Sequence, residues 1–254
     1  NARTGRYRHG AQGRPARLNP ARRLTPSQEN SLAIAAAVVT ANAYYIHPII
    51  ALVADHFGVS HARIGLVPAL NQLALAVGIF LLLPLGDRYS NRRLTILFAS
   101  GQTVSLALMT LASGFGAFVL GSTLLGFFTI APYLLPAYAS KRVAPERLGQ
   151  VTAKLTAGVI LGILVARVGA GVIAEHFGWR AVYWLATGLM VAVTLGLPWL
   201  MEGGERSTSG RQSYLRLIGS VFPLIGQYRE ILLAGAIQAL NFAQFIALWL
   251  GLAL

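Results

Sequence analysis

The sequence predicts an all-α, polytopic membrane protein, and three observations lead to this fold class. Of its 254 residues, 55% are hydrophobic and only 11% are charged, with a mean hydropathy of +0.60. Soluble domains carry about 25% charged residues. The charged residues are clustered, and the intervals between clusters exceed the about 20 apolar residues that cross a bilayer. Most basic residues also gather in every second loop, as in multi-pass membrane proteins.

These intervals predict six complete spans and a seventh, which we number 1–7. In chain order, the spans lie between Glu29 and Asp55, between Arg63 and Asp87, twice between Arg93 and Lys141, from about Val151 to Ile173, between Arg180 and Glu202, and after Glu230. The interval after Arg93 holds two spans because the turn-like segment Ser113–Gly116 divides it. Span 7 is expected to be cut short or only just complete at Leu254.

Basic residues distinguish the two sides of the predicted protein. The segment to Asn30 holds seven arginines, and more basic residues occupy GDRYSNRR (Gly86–Arg93) and the 141–147 and 202–229 segments. The opposite loops hold only Arg63 and Arg180. Because cytoplasmic loops carry the excess of Lys and Arg, we expect the N-terminus and the basic loops to be cytoplasmic, in the cell (inner) membrane.

Four regions follow from this pattern. Residues 1–30 form a disordered basic tail, 31–201 a six-span bundle, 202–229 a cytoplasmic linker, and 230–254 the seventh span. The net charge of +13 would suggest nucleic acid in a soluble protein. In a membrane protein we interpret the basic tail as an orientation signal that contacts anionic lipid headgroups, and we expect no nucleic-acid partner.

One short sequence occurs twice, as ADHFG (Ala54–Gly58) and as AEHFG (Ala174–Gly178). A histidine beside a carboxylate could form a catalytic pair. Each copy also falls at the outer end of a span, where glycine supplies a left-handed cap and histidine interacts with the negative helix end. The position favours a helix stop.

Polar side chains inside the spans are candidates for a substrate path, because a polar group that faces lipid is costly. Pro48 cannot donate to the carbonyl of Tyr44, which weakens span 1 there. The same side chains could instead hydrogen-bond between helices. The candidates are Asn42, Tyr45 and His47 in span 1, Asn71 and Gln72 in span 2, Tyr133 in span 4, and Arg167 in span 5.

Arg167 and His47 are the ionisable members of this group. Arg167 is predicted about 12 Å inside the outer end of span 5, farther than an arginine side chain reaches to water. We therefore expect it to face a cavity, with a backbone carbonyl, a residue beyond this sequence or an anionic substrate as its partner, since no acid is predicted inside the six complete spans. His47, with an ordinary pKa of about 6.5, is either a proton relay or a buried neutral histidine.

Span 5 also carries Gly158 and Gly162, four residues apart. Glycines at this spacing let two membrane helices approach closely. We expect a packing role for them, with a tight interface between bundles as the suitable place.

Several kinds of chemistry have no support in the sequence. The chain has no cysteine, which excludes disulfides and thiolate chemistry. It contains no metal-ligand spacing, no nucleophile with a nearby base on one loop, and no Walker-type loop for ATP. We therefore expect no enzyme activity, no metal and no cofactor.

The segment PLGDRYSNRRL resembles the signature between spans 2 and 3 of the major facilitator superfamily (MFS), G-x-L-a-D-R-x-G-R-R/K, with departures at Leu83, Ser90 and Asn91. The stretches AYYIHPIIALVADHFGVS and APERLGQVTAKLTAGVILGILVARVGAGVIAEHFGWRAVYW are similar to its bacterial arabinose-efflux and drug-antiporter-like branch. The resemblance runs from about Ala41 to Leu254.

The resemblance implies twelve helices in two six-helix bundles, with substrate bound between them near the membrane centre. Asp87, Arg88 and Arg92 fall on the acid, the first arginine and the last basic position of the signature. They would form a conformational latch that holds the cytoplasmic ends of the bundles together. This chain would then comprise the N-terminal bundle and the start of a second bundle, most of which is missing.

The function expected from these features is secondary transport of a small organic solute by alternating access, as an efflux permease, with protons as a coupling partner. A uniporter or importer on the same fold is one alternative, because no carboxylate is predicted inside the membrane. A non-transporting, truncated membrane half is another.

Overall fold

A computed structural model describes residues 23–203 and 213–253, and all regular structure in these residues is helical. The helices are α1 Pro26–Ala41, α2 Ile46–Phe57, α3 His61–Ile64, α4 Leu66–Leu82, α5 Asn91–Thr110, α6 Phe115–Phe128, α7 Ala131–Ser140, α8 Pro145–Phe177, α9 Trp179–Leu200, α10 Tyr214–Gly219, α11 Val221–Gln227 and α12 Arg229–Ala253, with a 3-10 helix at Leu83–Asp87. Most of the predicted tail (residues 1–22) and residues 204–212 of the predicted linker lie outside the described residues.

The helices follow the predicted order of spans. Span 1 comprises α1 and α2, span 2 comprises α3, α4 and the 3-10 helix, and span 4 comprises α6 and α7; spans 3, 5, 6 and 7 are α5, α8, α9 and α12. Within the described residues, five segments are long and apolar enough to cross a membrane, namely Pro26–Phe57, His61–Asp87, Phe115–Ser140, Pro145–Phe177 and Trp179–Leu200. The predicted all-α, multi-pass fold class is confirmed.

Helix α5 is not one of those five segments, because polar side chains lower its hydropathy. It packs against α6, α7 and α9 in the interior of the bundle. The hydroxyl oxygens of Thr103 and Thr194 lie 3.0 Å apart, and those of Thr110 and Thr187 lie 3.2 Å apart. These pairs join α5 to α9, so the polar side chains of α5 face another helix and avoid lipid.

Two spans are interrupted near their middles. Span 1 leaves the α-helix at residues 42–45, shortly before Pro48, and span 4 leaves it at residues 129–130, shortly before Pro132. Each proline lacks the N–H that would bond the preceding turn, and each helix restarts so that the proline falls in its first turn, where that N–H is not needed. The predicted weakening of span 1 is thereby confirmed. Non-helical backbone at membrane depth is tolerated where it is buried or lines a cavity.

The repeated five-residue sequence ends two helices, as predicted. Helix α2 ends before Gly58, which has φ 61° and ψ 37°, and α8 ends before Gly178, which has φ 81°. These are the two positions of positive φ within the described chain, and both are glycine. The predicted interaction of histidine with the negative helix end is seen at His176, whose Nδ1 lies 2.9 Å from the carbonyl oxygen of Val172 at the end of α8.

Gly158 and Gly162 bring α8 into close contact with α1. A Cβ atom at Gly158 would collide with the carbonyl oxygen of Ala33, and one at Gly162 with that of Ala37. Both helices belong to the first bundle. The expectation that these glycines lie at an interface between bundles is therefore wrong. They form a close contact between two helices of the same bundle.

The first turn of α1 carries a buried acid. Glu29 is 2% exposed, and its carboxylate lies 2.9 Å from Arg147 and 3.2 Å from Lys154, both on α8. Helix α1 begins at Pro26, so it includes residues predicted for the tail. Glu29 thus lies in the first turn of α1, at the boundary from which span 1 was counted, and two cations from α8 compensate its carboxylate.

The two ends of the bundle differ in character. At the end where α2 and α8 stop, which we name the distal end, the ring centroid of Phe118 lies 5.5 Å from that of Trp179 and 5.4 Å from that of Tyr183. We name the opposite end, where α1, α5 and α8 begin, the basic end. Aromatic packing is therefore prominent at the distal end, while charged and polar contacts dominate the basic end.

Candidate functional site

A cavity of about 190 Å³ lies between spans 1, 2, 4 and 5, beside the middle of α8. We name it the polar cavity, because six of its eleven described lining residues carry a hydroxyl or an amide group. Its lining residues are Thr40, Ala43, Tyr44, Gln72, Leu75, Thr129, Pro132, Tyr133, Thr156, Val159 and Ile163. None of these residues carries a formal charge, so the cavity offers hydrogen bonds and ring faces to a ligand.

The interruptions of spans 1 and 4 place most of these polar groups. Tyr44 lies in the break between α1 and α2, and Thr129 lies in the break between α6 and α7. Thr40 precedes Tyr44 by one helical turn, and Thr129 precedes Tyr133 by the same spacing. Both breaks open onto the polar cavity, as expected for irregular backbone within a membrane protein.

A buried hydrogen-bond network fixes Thr129 at the cavity wall. Gln102 of α5 donates from Nε2 to the hydroxyl oxygen of Thr129 at 2.5 Å, and that hydroxyl donates to the carbonyl oxygen of Leu125 at 2.7 Å. Gln102 Nε2 also lies 3.5 Å from the carbonyl oxygen of Val39 in α1. The network therefore ties three spans together next to the cavity and restricts the rotamer of Thr129.

Two of the predicted substrate-path residues line the polar cavity, and two others lie elsewhere. Gln72 and Tyr133 form part of its wall. Asn71 is buried and donates from Nδ2 to the carbonyl oxygen of Ser122 at 2.7 Å, so it joins α4 to α6. Tyr45 faces a separate, mostly apolar pocket between α1, α8 and α9. Asn71 thus takes the interhelical alternative left open by the sequence.

Asn42 lies in the break of span 1 and His47 lies just after it, and both side chains are buried. Pro48 has no backbone N–H to donate to the Tyr44 carbonyl, and this carbonyl lies within hydrogen-bond distance, 3.2 Å, of His47 Nδ1. Nδ1 must therefore carry the proton of the neutral ring, and Nε2 is left with a lone pair. Within the described chain, His47 Nε2 and both amide atoms of Asn42 have no hydrogen-bond partner. The break thus concentrates unsatisfied polar atoms beside the cavity.

Arg167 is buried one turn beyond Ile163, on the distal side of the polar cavity. Its guanidinium carbon lies 5.4 Å from the ring centroid of Tyr44 and 5.2 Å from that of Phe245 on α12. The sequence suggested a carbonyl, a residue outside this chain or an anion as its partner. The structure adds two aromatic faces, which attract a cation through the ring quadrupole.

The three latch residues occupy the basic end in different surroundings. Asp87 is exposed at the end of the 3-10 helix, where it and Ser220 line a second cavity of about 580 Å³. Arg88 is half-buried. Arg92 donates from Nη2 to the carbonyl oxygen of Pro198 at 2.9 Å. Arg92 therefore binds α9 of its own bundle, whereas the resemblance implies a network with the second bundle.

Arginines at the basic end cap the C-terminus of α9. Besides the bond from Arg92, Arg142 donates from Nη2 to the carbonyl oxygen of Glu202 at 2.9 Å, and its guanidinium carbon lies 4.1 Å from the ring centroid of Tyr138. The Tyr138 hydroxyl accepts a bond from the Glu202 amide at 2.8 Å. Cations at a helix C-terminus satisfy its last carbonyls and its negative dipole end. The basic residues of these loops therefore have a structural role, besides the orientation role predicted from the sequence.

The linker helices dock on the end of span 2. The Tyr214 hydroxyl of α10 donates to the carbonyl oxygen of Leu81. Pro84 lacks the N–H that would bond this carbonyl in a 3-10 turn. The ring centroids of Phe222 and Phe80 lie 5.9 Å apart. The linker is thus fastened directly before the loop that carries Asp87.

The candidates listed from the sequence leave out four polar residues of the cavity wall: Thr40, Tyr44, Thr129 and Thr156. A signal for three of them was present. Spans 1 and 4 each contain Thr-x-x-x-Tyr (Thr40–Tyr44 and Thr129–Tyr133) next to a proline. This spacing puts both side chains on one helix face, and the proline marks an interruption. Thr156 has no comparable local signal.

Comparisons with known proteins identify the family of this chain. A family-wide sequence model described as the Major Facilitator Superfamily matches residues 32–254. The "Uncharacterized transporter YgaY" of Escherichia coli O157:H7 is 31% identical over an alignment of 242 residues, and the match covers 92% of this chain and 59% of that protein. The "Probable transporter SCO4007" of Streptomyces coelicolor is 28% identical over 223 residues, which are 88% of this chain and 51% of that protein.

The chain thus spans between half and three fifths of the length of these curated relatives. The match covers α2 to α12 and the part of α1 from Leu32 onward, including the breaks of both interrupted spans and the segment that carries Asp87. On the extent of the family match and the identity to these relatives, the chain belongs to the Major Facilitator Superfamily.

Proposed function

We propose that this chain forms the first bundle and the seventh helix of a secondary transporter that moves a small organic solute by alternating access, in the direction of efflux. The polar cavity is the observation that carries the proposal. It lies beside the middle of a 33-residue helix, α8, which is about 50 Å long, so the cavity is at membrane depth. Its uncharged hydroxyl and amide groups can hydrogen-bond with a polar solute, whereas the hydrocarbon chains of lipids have no hydrogen-bonding groups.

The proposed orientation places the basic end in the cytoplasm and the chain in the cell (inner) membrane. The distribution of Arg and Lys between the two sets of loops supports it. In this orientation the N-terminal tail touches anionic headgroups. Asp87 and Arg88 lie at the cytoplasmic end of the bundle, where a latch against the second bundle is needed, while Arg92 braces the loop by its bond to Pro198.

The binding groups proposed for the solute are Gln72, Tyr133 and the three threonines of the polar cavity. Amide and hydroxyl groups recognise hydroxyl, carbonyl and amino groups of a solute, and the tyrosine rings cover its apolar parts. Asn42 contributes to the same region through its buried amide. Proton coupling through His47 is a further part of the proposal, because its Nε2 can accept a proton.

Flux measurements on Gln72 variants test the proposal. The full chain is reconstituted in lipid vesicles, and uptake of a panel of small organic solutes is measured with and without a pH gradient. For a transported solute, Gln72→Ala should lower the rate about tenfold, since a hydrogen bond in a desolvated site is worth about 1.5 kcal/mol.

Gln150→Ala is the matched control, because Gln150 is exposed near the start of α8 and should leave the rate unchanged. Equal rates for both variants and the parent chain would contradict a binding role for the cavity. Transport without any response to a pH gradient would favour the uniporter alternative.

A further inference from the structure

Three elements meet at Arg167. Its guanidinium carbon contacts the ring of Tyr44, in the break of span 1, and the ring of Phe245, on α12. The arginine itself is only 7% exposed. Helix α12 also packs against α2, the distal half of span 1. We name Tyr44, Arg167 and Phe245 the distal stack.

The distal stack lies at one edge of the polar cavity. Tyr44 belongs to the cavity wall, and Ile163, one turn before Arg167 on α8, belongs to it as well. Arg167 lies farther along α8 toward its distal end at Phe177. Tyr133 lines both the polar cavity and the larger cavity beside Asp87. The free volume therefore extends toward the basic end, whereas the distal side is occupied by the stack.

From this geometry we propose that the distal stack is a gate, in which contact of Phe245 with Arg167 closes the distal side of the solute path. The inference rests on the proposed function, because a gate presupposes alternating access. Opening requires α12 to move away from α8, which separates Phe245 from Arg167. Tyr44 and Arg167 belong to the first bundle, so their contact persists in both states.

The chemistry of the contact suits a gate. A guanidinium over a ring face is attracted without strict directional requirements, so the contact re-forms after each opening. Arg167 keeps the face of Tyr44 when Phe245 leaves, which avoids exposing a bare cation to an apolar environment.

Site-directed labelling tests the gate without knowledge of the solute. The chain has no cysteine, so Ala43→Cys introduces a single thiol in the wall of the polar cavity. The rate of reaction with a membrane-impermeant maleimide, added from the distal side of oriented vesicles, then reports opening. In this background, Phe245→Ala should raise the rate about fivefold or more, because loss of a desolvated cation–π contact shifts a two-state equilibrium by that factor.

Two substitutions at the same position separate ring chemistry from size. Phe245→Leu keeps much of the volume but removes the ring, and it should raise the labelling rate as Phe245→Ala does. Phe245→Tyr keeps the ring and should label like the parent. Leu240→Ala, at an exposed position on the same helix, controls for the loss of side-chain volume on α12. This variant should also label like the parent.

The gate is overturned if Phe245→Ala and Phe245→Leu label at the parental rate, or if Phe245→Tyr labels as fast as they do. Because labelling needs no transported solute, these outcomes do not depend on the flux assay. A parental flux rate in Gln72→Ala would remove the proposed solute site and leave the labelling result standing, so failure of the function and failure of the gate are distinguishable.

Discussion

His47 owes its tautomer to the proline that follows it. Pro48 has no N–H to donate to the Tyr44 carbonyl, so the Nδ1–H of His47 donates to that carbonyl at 3.2 Å. The basic lone pair of the neutral ring therefore lies on Nε2. The ring centroids of Tyr44 and His47 lie 5.7 Å apart, and the two ring planes are inclined by 27°. A buried imidazole with a fixed donor and a vacant acceptor can take a proton without losing its existing bond.

We expect His47→Gln to flatten the pH dependence of transport, because an amide keeps a polar group there but cannot take up a proton. Solute flux would be measured across the physiological pH range in vesicles. His176→Gln is the control, since His176 makes a similar bond to a carbonyl but is exposed at the distal end of α8. An unchanged pH profile in His47→Gln would remove this residue from coupling.

Glu29 shows how one buried carboxylate joins two helices. Glu29→Gln should destabilise the bundle by about 1–2 kcal/mol, less than for a fully buried pair, because Arg147 and Lys154 are 48% and 36% exposed and keep part of their hydration. Thermal unfolding in detergent measures the change. Glu146→Gln, an exposed acid in the first turn of α8, should leave the unfolding temperature nearly the same. Equal shifts for both variants would contradict the assigned role of Glu29.

Among the helices, α1 and α8 make the closest approach, and glycine permits it. Gly158→Ala should lower the yield and the thermal stability of the folded bundle, by about 1–3 kcal/mol, because the new methyl group meets the Ala33 carbonyl. Gly169→Ala, on the same helix, has open space around the added Cβ and should be neutral or slightly stabilising. A Gly158→Ala protein as stable as the parent would mean that α1 and α8 can separate at little cost.

The order of the helices was predictable from the sequence because charged residues end the spans, and the ADHFG and AEHFG helix stops are local signals. The break at Thr129 and the burial of Glu29 were not predicted. The partners of Glu29 arrive from α8, more than a hundred residues along the chain, and no local pattern encodes such a pairing. The same reason explains the miss at Thr156, whose place in the cavity depends on how α8 packs on α1.

For the whole molecule, the candidate site was partly predictable. Gln72 and Tyr133 line the cavity, while Asn71 turned to a neighbouring helix, because adjacent residues on one helix point about 100° apart. Polarity inside a span indicated that a side chain avoids lipid, but whether it meets a cavity or another helix depends on the tertiary packing. Arg167 gained aromatic neighbours from two other spans, which its own sequence surroundings could not show.

The orientation of the molecule is a prediction that a pair of matched substitutions tests. Ser60 lies between α2 and α3 at the distal end, and Ser140 ends α7 at the basic end; both are exposed. In the cysteine-free chain, Ser60→Cys should react with an impermeant maleimide added outside intact cells, and Ser140→Cys should react only after the cells are opened. The reverse pattern would place the basic loops outside, against the charge bias. Reaction of both sites in intact cells would contradict a single orientation, and with it the assignment of the latch and the distal stack to opposite faces of the membrane.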